Sequence, residues 1–316
     1  MKNDAKKSRK PGGTMKSASP TQSEKQQRVF QKERRGTGDG RDYVPGRALR
    51  EMGGVGRLHR FACTRCGGRQ IVLPSDASLA VFLQEHWDPA TCELKEYYPH
   101  LDVAETQKIA VSLDVRHPRL ADGSPAILIT SLLVCRQTGG NYQWNAIDIT
   151  SSRSAPRAPS PARAIKAEYW QRVGVPYRIA HTEGLNTHRA KHLWDLFNVA
   201  EGVLSRGLTD AEKEAQKAII RRFRTRKDAT LIEVCHGAAD SHGIGRAECV
   251  AAMRRLIALR MIECSLDVPV LLAQPRRGVR ICVAEKQRDS RPPAPAPENR
   301  LVSALVQWKK QFMKNG

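Results

Sequence analysis

Long apolar runs are missing from this 316-residue chain, and so are several motifs that would assign it a chemistry of its own. The longest apolar stretch, Ala126 to Cys135, is broken by Thr130 and Ser131 and is far shorter than a bilayer-spanning helix. The N-terminus is basic but lacks the apolar core of a secretory signal. No glycine-rich Walker loop is present, so nucleotide hydrolysis would belong to a partner. The nine histidines form no HExxH pattern, and no internal repeat occurs. Aromatics make up only 5% of residues, which argues against reading single strands by base stacking. Acidic residues are also scarce: 32 Asp and Glu face 53 Lys and Arg, a net charge of +21. Such a surface attracts polyanions, of which nucleic acid is the commonest. The eight cysteines lie mostly in apolar settings such as Ile281-Cys282-Val283, which suits buried thiols in a reducing cytoplasm rather than a disulfide framework. The expected location is cytoplasmic and nucleoid-associated, with no membrane partner.

With 40% apolar residues there is material for packed cores, and the length suggests two domains with extensions. Residues 1–35 combine Lys, Arg, Gln, Ser and Gly and are expected to form a disordered basic tail. Residues 36–200 predict an α/β sandwich. Strands at 56–61 and 70–73 flank a turn holding Cys63 and Cys66, and Ser75 caps a helix with Leu79, Phe82 and Leu83 on one face. Strands follow at 93–98, 127–135 and 142–150, then a helix carrying Ile165 and Tyr169, then a strand at 175–181. Trp87, Trp170 and Trp194 sit at apolar helical spacings and are expected in the core. Residues 208–284 predict three helices and a basic-tipped hairpin, a small winged-helix-like α+β domain. Thr209 and Glu212 form a capping box at its start. Arg254, Arg255, Arg260, Arg276 and Arg277 are its candidate DNA contacts. A Pro-rich linker at 285–298 leads to an amphipathic helix at 299–314. There Leu301, Leu305, Trp308 and Phe312 make one apolar face, suited to docking on a partner or folding back on the chain itself.

The order of short motifs resembles the TnsA family, the endonuclease subunits of heteromeric transposases. Gly38-Asp39-Gly40-Arg41-Asp42-Tyr43-Val44-Pro45 is similar to that family's lead-in, and Gly56-Arg57-Leu58-His59-Arg60 to the start of its first hairpin. Ser75 to Leu83 is similar to its first catalytic helix, and His86-Trp87-Asp88 to the end of that helix. Leu94 to Pro99, His117-Pro118, Tyr169-Trp170 and Gly174-Val175-Pro176-Tyr177 continue in the same order. The resemblance implies a restriction-endonuclease-like core followed by a winged-helix-like domain. It also implies double-stranded DNA as ligand, with a DDE-type transposase and an AAA+ ATPase regulator as partners. In that family the transposase cuts and joins the 3′ strands while this subunit cuts the 5′ strands.

Magnesium-dependent phosphodiester hydrolysis needs carboxylates to hold the hard cation and a lysine charge beside the developing negative charge. By the resemblance, the helix glutamate falls at Ser78, the strand aspartate at Ser131 and the lysine at Thr150, while a further acidic position falls at Lys166. Asp148 survives, two residues before Thr150 and on the same strand face. No catalytic set is intact, so the expectation is a pseudonuclease needing no cofactor, which binds DNA ends and bridges transposase to regulator; in a variant of this reading an active homologous subunit shares the complex. One alternative is an active Mg²⁺-dependent endonuclease with ligands relocated to Glu85, Asp88, Glu93 or Glu96. Another is a winged-helix DNA-binding regulator outside transposition. Cys63-Thr64-Arg65-Cys66 is a lone CxxC, whereas a zinc site takes four ligands. His59 and His86 are its only candidate helpers, and two incidental thiols in a turn are the expected reading, with no metal.

Overall fold

The computed structural model describes residues 19–52, 56–150, 160–181 and 186–282. A hairpin of β1 (His59–Cys63) and β2 (Arg69–Leu73) leads into α2 (Asp76–Trp87), after an N-terminal helix α1 (Gln22–Lys32). The central sheet follows: β3 (Thr91–His100), β4 (Leu128–Thr138), β5 (Asn141–Thr150) and β6 (Tyr177–His181), hydrogen-bonded in that order. The first three strands are antiparallel; β6 joins β5 in parallel after a crossover through α4 (Pro161–Val173). Helix α3 (Val103–Ser112) lies between β3 and β4. The chain then continues through α5 (Thr187–Arg206), α6 (Asp210–Thr225), α7 (Leu231–His242) and α8 (Arg246–Ala258) to the short pair β7 (Ile262–Glu263) and β8 (Arg280–Ile281). Among the described residues no helix is long and apolar enough to cross a membrane.

Each element has a local cause. Ser75 caps α2 by accepting from the Ser78 N–H, and Pro161 opens α4 at its first turn, where its missing N–H costs nothing. Capping boxes at Thr209/Glu212 and Thr230/Glu233 start α6 and α7. Gly174 and Gly243 end α4 and α7 with φ of +73° and +63°, the left-handed backbone that glycine adopts most cheaply.

Two cores flank the sheet. On one side Leu133, Cys135, Trp144 and Ala146 pack against Ile109 of α3 and Ile165, Tyr169 and Trp170 of α4. On the other, Leu94, Leu132, Val134 and Ile147 pack with the hairpin, α2 and α5, and that core continues without a break into α6, α7 and α8. This mixed α/β architecture is the restriction-endonuclease-like fold. Trp170 is fully buried, and Trp87 and Trp194 are partly buried against the larger core, as their spacing predicts.

One expectation needs correction. The tail is not disordered throughout: residues 22–32 form α1, started by a Thr21/Glu24 capping box and anchored by buried Phe30, over which the Arg35 guanidinium lies at 4.7 Å. The linker at 285–298 and the helix at 299–314, with Leu301, Leu305, Trp308 and Phe312, lie outside the described residues.

Candidate functional site

The expected catalytic positions cluster where β4 and β5 separate. Their ladder ends at Leu132 opposite Ile147, and from there side chains take over the bonding. The Ser131 N–H donates to Asp148 Oδ1 (3.0 Å), and the Ile149 N–H donates to Ser131 Oγ (3.2 Å). Alternation along β4 also breaks here: Leu128 and Leu133, five residues apart, face the same core. Tyr97 on the neighbouring strand has φ +53°, a conformation tyrosine rarely adopts. The fork is therefore a built irregularity, and Ser131 and Asp148 hold it together.

Asp148 is 3% exposed and fully engaged. Besides Ser131, its carboxylate accepts from the Tyr177 hydroxyl (2.7 Å) and is ion-paired with the Lys166 ammonium, which reaches in from α4 and also donates to the Ile129 carbonyl (3.0 Å). Burial first, then the Asp148 charge, raises the Tyr177 pKa, so Tyr177 stays a hydrogen-bond donor. Behind the pair, the Thr130 hydroxyl accepts from Trp170 Nε1 (2.9 Å) and lies 2.9 Å from His100 Nε2. Burial, reinforced by Lys166, lowers His100 to about 3, so the ring is neutral. Thr150, 4% exposed, lies opposite His181 of β6. Ser78 lies at the start of α2 with its hydroxyl 3.0 Å from that of Ser75. It serves the helix cap.

The fork offers one carboxylate, and an ammonium sits on it. At an effective dielectric of 20, a dication about 4 Å from both groups would be repelled by the ammonium by roughly 8 kcal/mol, which cancels an attraction of the same size to the carboxylate. Of the other acidic candidates, Glu85, Asp88 and Glu96 are held in ion pairs, while Glu93 Oε2 is buried without a partner. Glu85 pairs with Arg136 and Arg178, Asp88 with Arg136 (2.8 Å), and Glu96 with Arg69 through two bonds. Glu93 accepts from the Gly40 N–H (2.8 Å) and lies 3.8 Å from Lys95. Burial raises the Glu93 pKa.

The five arginines divide. Arg254 and Arg277 are exposed. Arg255 pairs with Glu212 (2.7 Å), Arg276 lies over the Phe223 ring and donates to its carbonyl, and Arg260 covers the Trp87 ring at 4.3 Å. Burial lowers Arg260 to about 10. Of the two candidate histidine helpers, His59 is turned to Asp76 (2.7 Å) while His86 faces Cys63. Sequence reasoning missed Tyr177 as the third arm on Asp148 and Glu201 as a neighbour of Cys63. The motif around Tyr177 was visible, but nothing marked Glu201.

No family model matches the chain. It is 27% identical over 235 residues to the transposon Tn7 transposition protein TnsA of Escherichia coli, covering 73% of this chain and 82% of that protein. This similarity agrees with the order of motifs that resembles the TnsA family.

Proposed function

We propose that this chain is a TnsA-like transposition subunit that has lost strand cleavage and acts as a DNA-end-binding bridge between a DDE-type transposase and an ATPase regulator. One observation carries the reading: the surviving Asp148 carboxylate is neutralised from within the protein by Lys166, at the place where a cleaving enzyme would need a metal. Ser78, Ser131 and Thr150 supply no charge in exchange. The basic balance of the chain and the exposed Arg254 and Arg277 support contact with duplex DNA. The helices α6, α7 and α8 with the β7–β8 pair are its winged-helix-like module, and the segment carrying Leu301, Leu305, Trp308 and Phe312, outside the described residues, is the proposed protein-docking element.

If the 5′ strands stay uncut, joining of the 3′ ends alone leaves donor and target linked, and the product is a cointegrate. The test is strand-resolved mapping of breaks at element ends in a reaction reconstituted with transposase and regulator, in Mg²⁺ and in Mn²⁺. Breaks confined to the 3′ strands, unchanged in Asp148→Ala, are expected. Cuts in the 5′ strand that need this subunit and vanish in Asp148→Ala would overturn the proposal.

A further inference from the structure

Away from the fork, three elements converge on a second set of chemistry-bearing side chains. Cys63 at the end of β1, His86 near the end of α2 and Glu201 of α5 each offer a ligand atom, all within 4.8 Å of one another. Cys66 belongs to the same turn. Its thiol lies beside that of Cys63 and 3.7 Å from the Leu94 carbonyl. Both cysteines are fully buried. His86 Nε2 is buried and has no hydrogen-bond partner, an unusual state for a polar atom in a packed interior. Glu201 is drawn over the turn by the Thr64 N–H (2.9 Å) and hydroxyl (2.5 Å), so its carboxylate is aimed before any ligand arrives.

We propose that Cys63, Cys66, His86 and Glu201 are the ligands of a structural Zn²⁺ that clamps the β1–β2 hairpin to α2 and α5. Two thiolates, one imidazole and one carboxylate suit zinc, whereas magnesium prefers oxygen ligands alone. Tetrahedral zinc with bonds of about 2.0–2.3 Å needs ligand atoms roughly 3.3–3.8 Å apart. Cys63, His86 and Glu201 therefore close by about 1 Å on binding, and Cys66, outside that group of three, turns in from the Leu94 carbonyl to complete the set. Charge balance supports the assignment. Two thiolates and a carboxylate around a dication leave one negative charge. Arg65, between the cysteines in sequence, donates to the Asp88 carbonyl (3.1 Å) and the Thr91 carbonyl and has no ion-pair partner among the described residues. Its guanidinium supplies the balancing charge. The turn is also fixed against drift: Gly67 has φ +72°, and a Cβ there would meet the Arg41 nitrogen at 2.4 Å. A metal here would hold the β1–β2 hairpin and α2 to α5, which also packs into the core of the C-terminal helices.

The test uses the full chain purified in reductant without chelator. One zinc per chain by elemental analysis is expected. Apo protein titrated with Co²⁺ should show thiolate charge-transfer and tetrahedral d–d bands that saturate at one equivalent. Cys63→Ser and His86→Ala should each abolish saturation at one equivalent, while Cys264→Ser should leave it intact. Glu201→Gln keeps the fold's packing and should shift the cobalt spectrum, which keeps the assignment testable if the cysteine variants fail to fold. Absence of both zinc and cobalt bands in the reduced wild type would overturn the proposal. So would bands undiminished in Cys63→Ser, a spectrum unmoved in Glu201→Gln, or isolation of a Cys63–Cys66 disulfide in place of the metal.

Discussion

Replacing Lys166 with methionine is the sharpest perturbation of the fork. Lys166 and Asp148 are 8% and 3% exposed, so the change strands a buried carboxylate. Removing one partner of a buried ion pair typically costs about 3–5 kcal/mol. Asp148 keeps the Ser131 N–H and the Tyr177 O–H, charge-assisted bonds that soften the loss, so the low end, about 3 kcal/mol, is expected. Asp148→Asn alone should cost a similar amount, because the ammonium is then left with the Ile129 carbonyl. The double variant Lys166→Met/Asp148→Asn removes both charges and should recover at least about 2 kcal/mol relative to the sum of the two. Urea unfolding followed by tryptophan fluorescence measures all four corners, since Trp170 lies beside this network. A Lys166→Met cost under about 1 kcal/mol that adds simply to that of Asp148→Asn would show that the two groups are not coupled. The account of an internally neutralised site would then fail.

Magnesium should leave the wild-type melting temperature unchanged, because the Asp148 site is filled by Lys166. A bound ion at a hundredfold excess over its Kd would instead add about 2.7 kcal/mol, several degrees in a thermal melt. Arg254→Glu with Arg277→Glu should weaken duplex binding and lower the slope of log K against log salt by about 0.9 per lost phosphate contact, whereas Arg260→Ala should lower stability by uncovering Trp87. Glu212 tests pH dependence: hydrogen bonds from Arg206 first, then from the Thr209 N–H, lower its pKa to about 2. A carboxyl depressed in the folded state stabilises above its ordinary value of 4.5 and loses that contribution as pH falls toward 2. Glu212→Gln should flatten that part of the acid-unfolding curve, and an unchanged curve would refute the assignment.

Much of the fold was legible because local signals agree with the tertiary outcome. The Ser75 cap, the apolar face of α2 and the apolar runs of β4 and β5 each specify their element and their buried side. Helix α3 was missed since its ten residues bury Glu105 and Thr106 beside Val103 and Ile109, which blurs the apolar face. Helix α5 opens with the polar run Thr187 to His192, which hides the later Leu193, Leu196 and Phe197 face. The charge change at Lys166 could be read from the sequence through the family resemblance. Its pairing with Asp148 could not, because a helix and a strand meet there only after the crossover has folded. The grouping of Cys63 with Glu201 joins residues so far apart in sequence that no spacing rule connects them.

On the proposed reading, Asp148 has a structural role at the fork that does not involve cutting. At the β4–β5 fork the backbone ladder stops, and a buried N–H left without an acceptor is costly. Asp148 accepts the Ser131 N–H, Ser131 in turn accepts the Ile149 N–H, and Tyr177 and Lys166 meet the rest of the carboxylate. Serine at 131 fits this arrangement better than aspartate would, since its hydroxyl donates to Asp148 Oδ1 (3.4 Å) where a second carboxylate would repel it. On that reading the four positions are mutually consistent: with Lys166 supplying the positive charge the fork would need no metal, and glutamate at 78 or lysine at 150 would have no ion to serve. It follows that restoring single residues should not restore cleavage. Only the joint change Ser78→Glu, Ser131→Asp, Thr150→Lys and Lys166→Glu rebuilds both the ligand set and the charge. Metal-dependent 5′-strand nicking by that variant, and by none of the four single ones, is the expected result. Nicking by Ser131→Asp alone would show that Lys166 does not block the site.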